Sequence, residues 1–274
     1  STSHLISSSG VVADDTTGVG TARRDVGAAS YGGDKAIFGY GIISSVTGIT
    51  NLVNNSGVVA ADVSAVGTAR RDVAAVGYGV DLAMFAYGDS GSKTNLKNLV
   101  TNQGVVGANV TGVGTARGDL AASRYGVGLG IFGYGNTGSK VSITNLVTNV
   151  GVIGTDVSGV GTARQSLAAC TFGGDKAIFG FGKDGSNETS ITNLVSNVGV
   201  VAADTTGVGT AREKLGACSF GGDKGIFAFG VDNGGGGRVS TSNLVSNVGV
   251  VASNTTGVGS VTNRLGAAGF SFSA

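Results

Sequence analysis

Proline and tryptophan are absent from this sequence of 274 residues, which contains one histidine, one methionine and two cysteines. Two cysteines are too few for a disulfide framework, so cysteine usage does not indicate a redox compartment. Without proline, tight turns depend on residues that adopt positive φ, and 52 glycines supply them. This composition indicates short strands joined by turns.

Long apolar runs are also missing. No stretch approaches the ~20 apolar residues of a membrane span, and the start, Ser1-Thr2-Ser3-His4, has neither the basic nor the apolar region of a signal peptide. We therefore expect a soluble chain with no membrane span, from which any signal peptide or initiator methionine has been removed.

Charge of either sign is scarce. Charged residues make up 13% of the chain, and 18 Lys and Arg nearly balance 17 Asp and Glu, for a formal net charge of +1. A surface that binds nucleic acid or an anionic membrane needs an excess of positive charge. The composition therefore argues against nucleic acid as a partner.

An internal repeat with a spacing of 47 or 48 residues runs through the chain. The string Gly-Val-Gly-Thr-Ala-Arg, or a close copy of it, ends at five arginines: Arg23, Arg70, Arg117, Arg164 and Arg212. A sixth copy, residues 257–262, ends in threonine instead. Such regular spacing is typical of a protein built from one repeated supersecondary unit.

Each repeat predicts four antiparallel strands. In the fourth repeat, residues 167–172 and 177–182 are predicted to form a tight hairpin around a Gly-Gly-Asp-Lys turn. Residues 192–196 and 200–203 follow as a second pair around a turn at 197–199. The second strand alternates large and small residues, as in Phe179-Gly180-Phe181-Gly182, so period 2 predicts one aromatic face and one bare face.

Four short strands at this period match the blade of a β-propeller, in which blades pack face to face. The sequence thus predicts an all-β fold: a six-bladed β-propeller of four-stranded blades, in a single domain covering residues 1–274. The predicted blades are residues 24–64, 71–111, 118–158, 165–206 and 213–256, and a closing blade made of 264–274 and 1–17.

The closing blade combines both ends of the sequence. Residues 4–16 match a third and fourth strand, and residues 265–270 match a first strand, so their pairing would close the ring and remove exposed edges. The aromatic second strand occurs five times and has no sixth copy. The closing blade is therefore expected either to have three strands or to take one from a partner.

The repeat resembles the kelch repeat along the whole chain. The shared features are a segment ending in Thr-Ala-Arg, a strand of small residues, a glycine turn, an Ile-Phe-Gly-Tyr-Gly strand and a hairpin, although kelch's tryptophan and proline are absent. The segment from Thr192 to Arg212 is also similar to repeats in predicted structural proteins of marine tailed phages. These resemblances imply a propeller and a virion part, such as a tail, fibre or head decoration module.

The arginines are the strongest polar feature of the repeat. A ring of guanidinium groups at one mouth of a central channel could capture a carboxylate or a phosphate. A structural role is favoured, because an acid or amide precedes each arginine by eight residues and would pair with it, unless backbone carbonyls do. These partners are Asp15, Asp62, Asn109, Asp156 and Asp204.

Few titratable residues break the repeat, as a catalytic centre normally requires. His4 occupies the position of Asn51, which favours a structural role. Cys170 and Cys218 occupy the position of Ala29, which favours small buried residues, with a disulfide between adjacent blades as the alternative. Oxygen-rich stretches near residues 184 and 232 lack the ligand spacing of a calcium loop. We expect no catalytic residue, metal or cofactor.

The loop between the second and third strands varies most. It changes in length and charge, from residues 42–46 in the first repeat to 231–238 in the fifth, while the strands stay nearly constant. Such divergence is expected of a scaffold with a tunable surface. We predict binding on the face that holds these loops and the arginines, through Arg23, Arg70, Arg117, Arg164, Arg212, Asp89, Lys93, Lys140, Lys183, Asp184, Asp232 and Arg238.

The sequence favours a non-enzymatic structural or binding module, extracellular or in a virion. Its expected partners are other protein subunits of a larger assembly, or a cell-surface receptor. The alternative is a secreted carbohydrate-binding propeller with a glycan ligand, and a propeller hydrolase is a weaker third. Of the 17 aromatic residues only Phe272 lies off the repeat pattern, which disfavours sugar-stacking platforms.

Overall fold

The computed structural model describes residues 1–234 and 237–270, and regular structure in these residues is entirely β. Within them, no helix has the length and hydrophobicity needed to cross a membrane. The strands are β1 (Thr2–Ser3), β2 (Thr16–Thr17), β3 (Gly27–Tyr31), β4 (Lys35–Gly39), β5 (Thr50–Val53), β6 (Ala74–Tyr78), β7 (Leu82–Ala86), β8 (Lys97–Val100), β9 (Ala121–Tyr125), β10 (Leu129–Gly133), β11 (Thr144–Val147), β12 (Ala168–Phe172), β13 (Lys176–Gly180), β14 (Lys183–Asp184), β15 (Asn187–Glu188), β16 (Thr192–Val195), β17 (Gly216–Phe220), β18 (Lys224–Ala228), β19 (Val231–Asp232), β20 (Gly237–Arg238) and β21 (Ser242–Val245).

Three-stranded antiparallel sheets repeat along the chain, one in each of residues 24–64, 71–111, 118–158, 165–206 and 213–256, which we call units 1 to 5. The sheets are β3-β4-β5, β6-β7-β8, β9-β10-β11, β12-β13-β16 and β17-β18-β21. The first two strands of each sheet form the predicted hairpin, in which Gly32 and Gly33 of unit 1 adopt φ of 61° and 81°. Equivalent residues pair in the same register, as in Ala29 with Ile37 and Cys170 with Ile178.

The predicted fourth strand is an outer segment that pairs through isolated bridges. In unit 1 these bridges join Thr50 to Val63 and Val53 to Val59. Between them, the side-chain amide of Asn51 donates to the carbonyl of Ala60 at 3.0 Å. A side chain thus replaces the backbone as donor, so the ladder is interrupted and each sheet has three regular strands.

A closed cycle of six backbone hydrogen bonds, which we call the central cycle, links the units. Each residue donates its N–H to the carbonyl of its counterpart in the preceding unit, at N–O distances of 2.8 to 3.3 Å. All six residues have positive φ of 53° to 59°. The members are Asp25, Asp72, Asp119, Ser166, Lys214 and Arg264.

The sixth member of the cycle belongs to a closing unit made of residues 264–270 and 1–17. The N–H of Ser260 donates to Asp15 at 2.9 Å, as that of Thr162 does to Asp204 at 3.2 Å. Strand β1 pairs with β2 within the N-terminal part of this unit, and the contact of Ser260 with Asp15 joins that part to the C-terminal segment. Residues 271–274 of the predicted closing blade, with Phe272, lie outside the described residues.

Neighbouring units pack through a phenyl ring placed on a bare backbone. A Cβ added at Gly180 of unit 4 would lie 2.7 Å from Cζ of Phe227 in unit 5, and one added at Gly133 would lie equally close to Phe179. The four rings at this position, Phe85, Phe132, Phe179 and Phe227, are fully buried, and Phe132 meets Ala86 in place of a glycine. The hydrophobic clusters accordingly bridge consecutive units.

The second aromatic residue of each repeat faces the other way, so the prediction of one aromatic face is wrong. Tyr40 follows the end of β4 with φ of 63°, and this left-handed turn reverses its direction. Its ring meets Phe85 of unit 2 edge-on, with ring centroids 5.0 Å apart. The first aromatic residue of the repeat therefore faces the preceding unit, and the second faces the following unit.

Substitution of Gly180 by valine tests this contact. We expect Gly180→Val to lower the free energy of unfolding by about 1–3 kcal/mol, because the added methyl groups would displace the ring of Phe227. Urea unfolding measures the change. Gly154→Ala is the control, since the nearest atom to its new Cβ is 3.5 Å away and unit 1 already has Ala60 there. Equal effects of the two substitutions would contradict this account.

Candidate functional site

The arginines of the repeat lie inside the protein. Four of them, Arg70, Arg117, Arg164 and Arg212, have no exposed surface, and the side chain of Arg23 is 6% exposed. A buried guanidinium cannot capture a ligand at a channel mouth. The structure thus places Arg70, Arg117, Arg164 and Arg212 in structural positions, and it places Arg23 at the border of a cavity.

Each buried arginine fastens its own unit to the preceding one. Arg117 donates through Nε to the carbonyl of Tyr134 at 2.9 Å, through Nη1 to that of Thr115 at 3.1 Å and through Nη2 to Oδ1 of Asn145 at 2.6 Å. Its Cζ lies 4.3 Å from the ring centre of Tyr87 in the preceding unit. These contacts compensate the guanidinium group of Arg117 for the water that it loses on burial.

The acidic partner of the arginine is a different residue from the predicted one. Nη1 of Arg117 lies 3.9 Å from Asp156, which follows it in sequence, and not near Asn109, which precedes it by eight residues. Asp62 and Asp204 pair in the same way with Arg23 and Arg164. The acid that precedes an arginine belongs to the preceding unit, which explains the error. Where no acid follows, burial lowers the pKa of Arg212 to about 10.

Replacement of Arg117 by lysine separates geometry from charge. A lysine keeps the positive charge but cannot donate in three fixed directions at once, so we expect Arg117→Lys to destabilise the protein by about 2–4 kcal/mol. Urea unfolding measures the loss. Arg24→Lys is the control, because the side chain of Arg24 is 54% exposed, and we expect a change within about 0.5 kcal/mol. A neutral Arg117→Lys variant would overturn the structural role.

The variable loops form one face of the molecule. Each begins beside the residue that follows the repeat arginine, as the bridges between Arg71 and Asp89 and between Gln165 and Lys183 show. The loops and the arginine segments therefore lie at the same end of the sheets, as predicted. We call this end the loop face.

Loops of adjacent units contact each other around the loop face. Nζ of Lys140 donates to the carbonyl of Gly185 in the next unit. The amide of Asn233 likewise donates to Glu188 in the unit before it. Lys93 pairs within its own loop with Asp89, at 3.1 Å. The loops of units 3 to 5 thus form a continuous rim.

The other predicted binding residues of the loop face lie on two short hairpins. Lys183 and Asp184 start the hairpin β14-β15, where Lys183 lies 3.8 Å from Glu188. Asp232 and Arg238 belong to β19 and β20, and Arg238 is exposed. Residues 235 and 236 of this predicted loop lie outside the described residues.

Polar side chains surround the central cycle, and none of them is among the predicted functional residues. The three acids, Asp25, Asp72 and Asp119, are consecutive around the cycle, and so are Lys214 and Arg264. Nη1 of Arg264 lies 3.1 Å from a carboxylate oxygen of Asp25, so the basic and acidic members of the cycle form an ion pair there. The sequence contained a signal for these residues. Each lies two positions after the repeat arginine, or after the threonine that replaces it, just before an apolar strand.

Two acids of the central cycle, Asp72 and Asp119, have a raised proton affinity. Burial, together with the charges of Asp119 and Asp25, raises the pKa of Asp72 to about 7. Burial also raises the pKa of Asp119, an effect that Lys93 opposes. The centre of the loop face can therefore change charge near neutral pH.

Substitution of Asp72 by asparagine tests this proton affinity. The folded protein holds the proton more tightly than the unfolded chain, so stability from this group is present below about pH 4 and is lost as the pH rises to about 7. We expect Asp72→Asn to leave stability nearly unchanged at pH 4 and to raise the unfolding free energy by about 1 kcal/mol or more at pH 8.

Urea unfolding across this pH range measures the effect. Asp34→Asn is the control, because Lys35 lowers the pKa of Asp34 and its loss should not stabilise the protein at pH 8. Parallel pH profiles for wild type and Asp72→Asn would contradict the raised pKa.

The remaining candidates occupy structural positions. Nδ1 of His4 lies 3.4 Å from the carbonyl of Ala13, which matches the contact of Asn51 with Ala60. Cys170 and Cys218 are buried free thiols, and burial raises the pKa of both. Among the residues that the structure describes, no group of three or more His, Cys, Asp or Glu could hold a metal ion.

Comparisons with known proteins give no family for this chain. No protein-family model matches the sequence, and no curated protein matches it. The resemblances to kelch repeats and to phage structural proteins stay predictions.

Proposed function

We propose that the chain is a six-bladed β-propeller that acts as a non-enzymatic structural or binding module and contacts other protein subunits through its loop face. The closed central cycle supports the propeller, because six residues, one per unit, donate to one another in sequence. The pairing of Ser260 with Asp15 supports a closing blade shared by both ends.

The contrast between constant strands and variable loops carries this proposal. Strand residues such as Gly180 and Phe227 are fixed by contact with the adjacent unit. The loops after the second strands meet adjacent units through a few polar contacts, such as Lys140 with Gly185, and they differ in each unit, from residues 42–46 to the hairpin β19-β20. A rigid ring with one variable face is suited to presenting contacts to a partner.

Exposed valines on the outer segments favour a protein partner. One valine at the same position of every unit is 53% to 64% exposed. These residues are Val11, Val58, Val105, Val152, Val200 and Val250. Apolar side chains repeated around a perimeter are expected where protein surfaces meet. In this proposal the larger assembly is a virion, on the strength of the sequence resemblance to phage structural proteins.

Lysine footprinting on material from the natural source tests the proposal. Lys93 and Lys183 lie on the loop face, with side chains 24% and 28% exposed. Lys35, Lys176 and Lys224 lie at the hairpin turns of the opposite face, with side chains 42% to 48% exposed. We expect the assembled protein to acetylate at least about tenfold more slowly at the first pair than the isolated chain does, and equally fast at the three others.

The isolated chain provides the reference rate for every lysine. Protection confined to Lys35, Lys176 and Lys224 would move the contact to the opposite face. A free monomer in the source material would contradict assembly, and binding of that monomer to a glycan array would favour the carbohydrate-binding alternative.

A further inference from the structure

A cavity of about 840 Å³ lies between the closing unit and the facing surfaces of units 5 and 1. Residues 264–270 and 3–6 of the closing unit line it, and so do Arg23 and Phe38 of the unit 1 side and Phe229 of unit 5. We call the part between residues 265–270 and 3–6 the acceptor groove. It is the position that the second strand takes in every other unit.

The backbone on both sides of the acceptor groove has unused pairing capacity. In unit 4, β13 pairs with β12 on one side and with β16 on the other. The counterpart of β12 is residues 265–270, which make no backbone hydrogen bond to another main-chain group in the described part of the chain. The counterpart of β16 includes residues 3–6, which pair on one side, with the outer segment.

Phe38 faces the acceptor groove without the partner that its counterparts have. Phe85, Phe132, Phe179 and Phe227 are fully buried against a glycine or alanine of the preceding unit, whereas Phe38 is partly exposed. Its preceding unit is the closing unit, which has no second strand among the described residues. A glycine in the acceptor groove would cover the ring of Phe38.

Arg23 gives an independent indication of what the acceptor groove accepts. Its side chain is 6% exposed, yet its Nη2 has no hydrogen-bond partner. The guanidinium groups of Arg70, Arg117, Arg164 and Arg212 instead lie 4.2 to 4.3 Å from an aromatic ring of the preceding unit. The position beneath Arg23 therefore fits an aromatic side chain.

Phe229 indicates a second aromatic position. Tyr134 and Phe181 each meet a phenylalanine of the next unit edge-on, with ring centroids 5.2 and 5.1 Å apart. Phe229 is their counterpart in unit 5, and it lies against His4 instead, at 4.6 Å. A phenylalanine placed two residues before the ring beneath Arg23 would supply the usual partner.

We infer that the acceptor groove binds one extended β-strand of the pattern small-aliphatic-Phe-Gly-aromatic-Gly, donated by a partner polypeptide. By the register of unit 4, the donor phenylalanine would lie between Ala267 and His4, and the donor glycine between Gly266 and Ser3. Main-chain pairing on both sides would supply affinity, and the two rings would supply specificity. The inference rests on the proposed six-bladed arrangement but not on a partner for the loop face.

A second copy of this chain is a poor donor. All five copies of the aromatic strand in the sequence, β4, β7, β10, β13 and β18, pair on both sides within their own units. A copy that donated one of them would have to open its own core. We therefore do not propose a second copy as the donor.

A labelled peptide with the sequence of residues 174–183, Gly-Asp-Lys-Ala-Ile-Phe-Gly-Phe-Gly-Lys, tests the inference on the isolated full chain. Fluorescence anisotropy should show saturable binding. A scrambled peptide, and one with valine for the glycine between the two phenylalanines, should bind at least about tenfold more weakly, because the valine would meet Phe38. Hydrogen exchange should slow at residues 266–270 and 3–6 when the peptide binds.

A protein variant checks the contact from the other side. Phe38→Ser should weaken binding about tenfold, whereas Val127→Ser, at a valine 92% exposed on a hairpin turn, should not change it. The peptide variants test the same contact even if Phe38→Ser fails to fold, since they leave the protein unchanged.

Three results would overturn the inference. They are equal binding of the scrambled peptide, exchange protection confined to the outer segments, and a native mass showing a dimer whose acceptor groove is already protected. Because these measurements use the isolated chain, they can fail while lysine footprinting on the natural assembly succeeds, and the reverse also holds.

Discussion

The placement of a phenyl ring on bare backbone is the contact on which this architecture depends. Phe227 approaches β13 closely because Gly180 has no side chain, and Phe85 and Phe179 repeat that contact on Gly39 and Gly133. The buried arginine then lies over the forward-facing ring and donates to its own unit, so that hydrophobic contact and hydrogen bonding act at the same interface. Since every unit needs both contacts, strand residues have little freedom to change.

That constraint determines where function can reside. Residues outside the interfaces, above all the loops after the second strands, can differ among units at little cost in stability. The closing unit is the other departure from the repeat, since Thr262 replaces the arginine and its described residues include no aromatic second strand. The loop face thus carries the sequence variation, and the closing unit carries the departure from the strand pattern. We propose a different contact for each: a subunit surface for the loop face and a donated strand for the closing unit.

The three regular strands of each unit and their hairpin turns were predictable from the sequence, because they follow from period 2 and from the 47-residue spacing. The reversed direction of Tyr40 was not, since it depends on one positive φ at the end of a strand. The pairing of Arg117 with Asp156 required knowledge of which unit each segment joins. The acids of the central cycle were missed because neighbours in that cycle are 47 residues apart in sequence.

The contacts that join residues 260–264 to residues 15–25 have a kinetic consequence. Contacts between Arg264 and Asp25 and between Ser260 and Asp15 join residues 239 and 245 positions apart. Contacts of such high sequence separation form late, because the chain must lose the entropy of a very long loop first. Once formed, they hold the first and last units of the described residues against each other, at the positions where linear repeat proteins fray. Slow folding and slow unfolding are therefore expected to accompany each other.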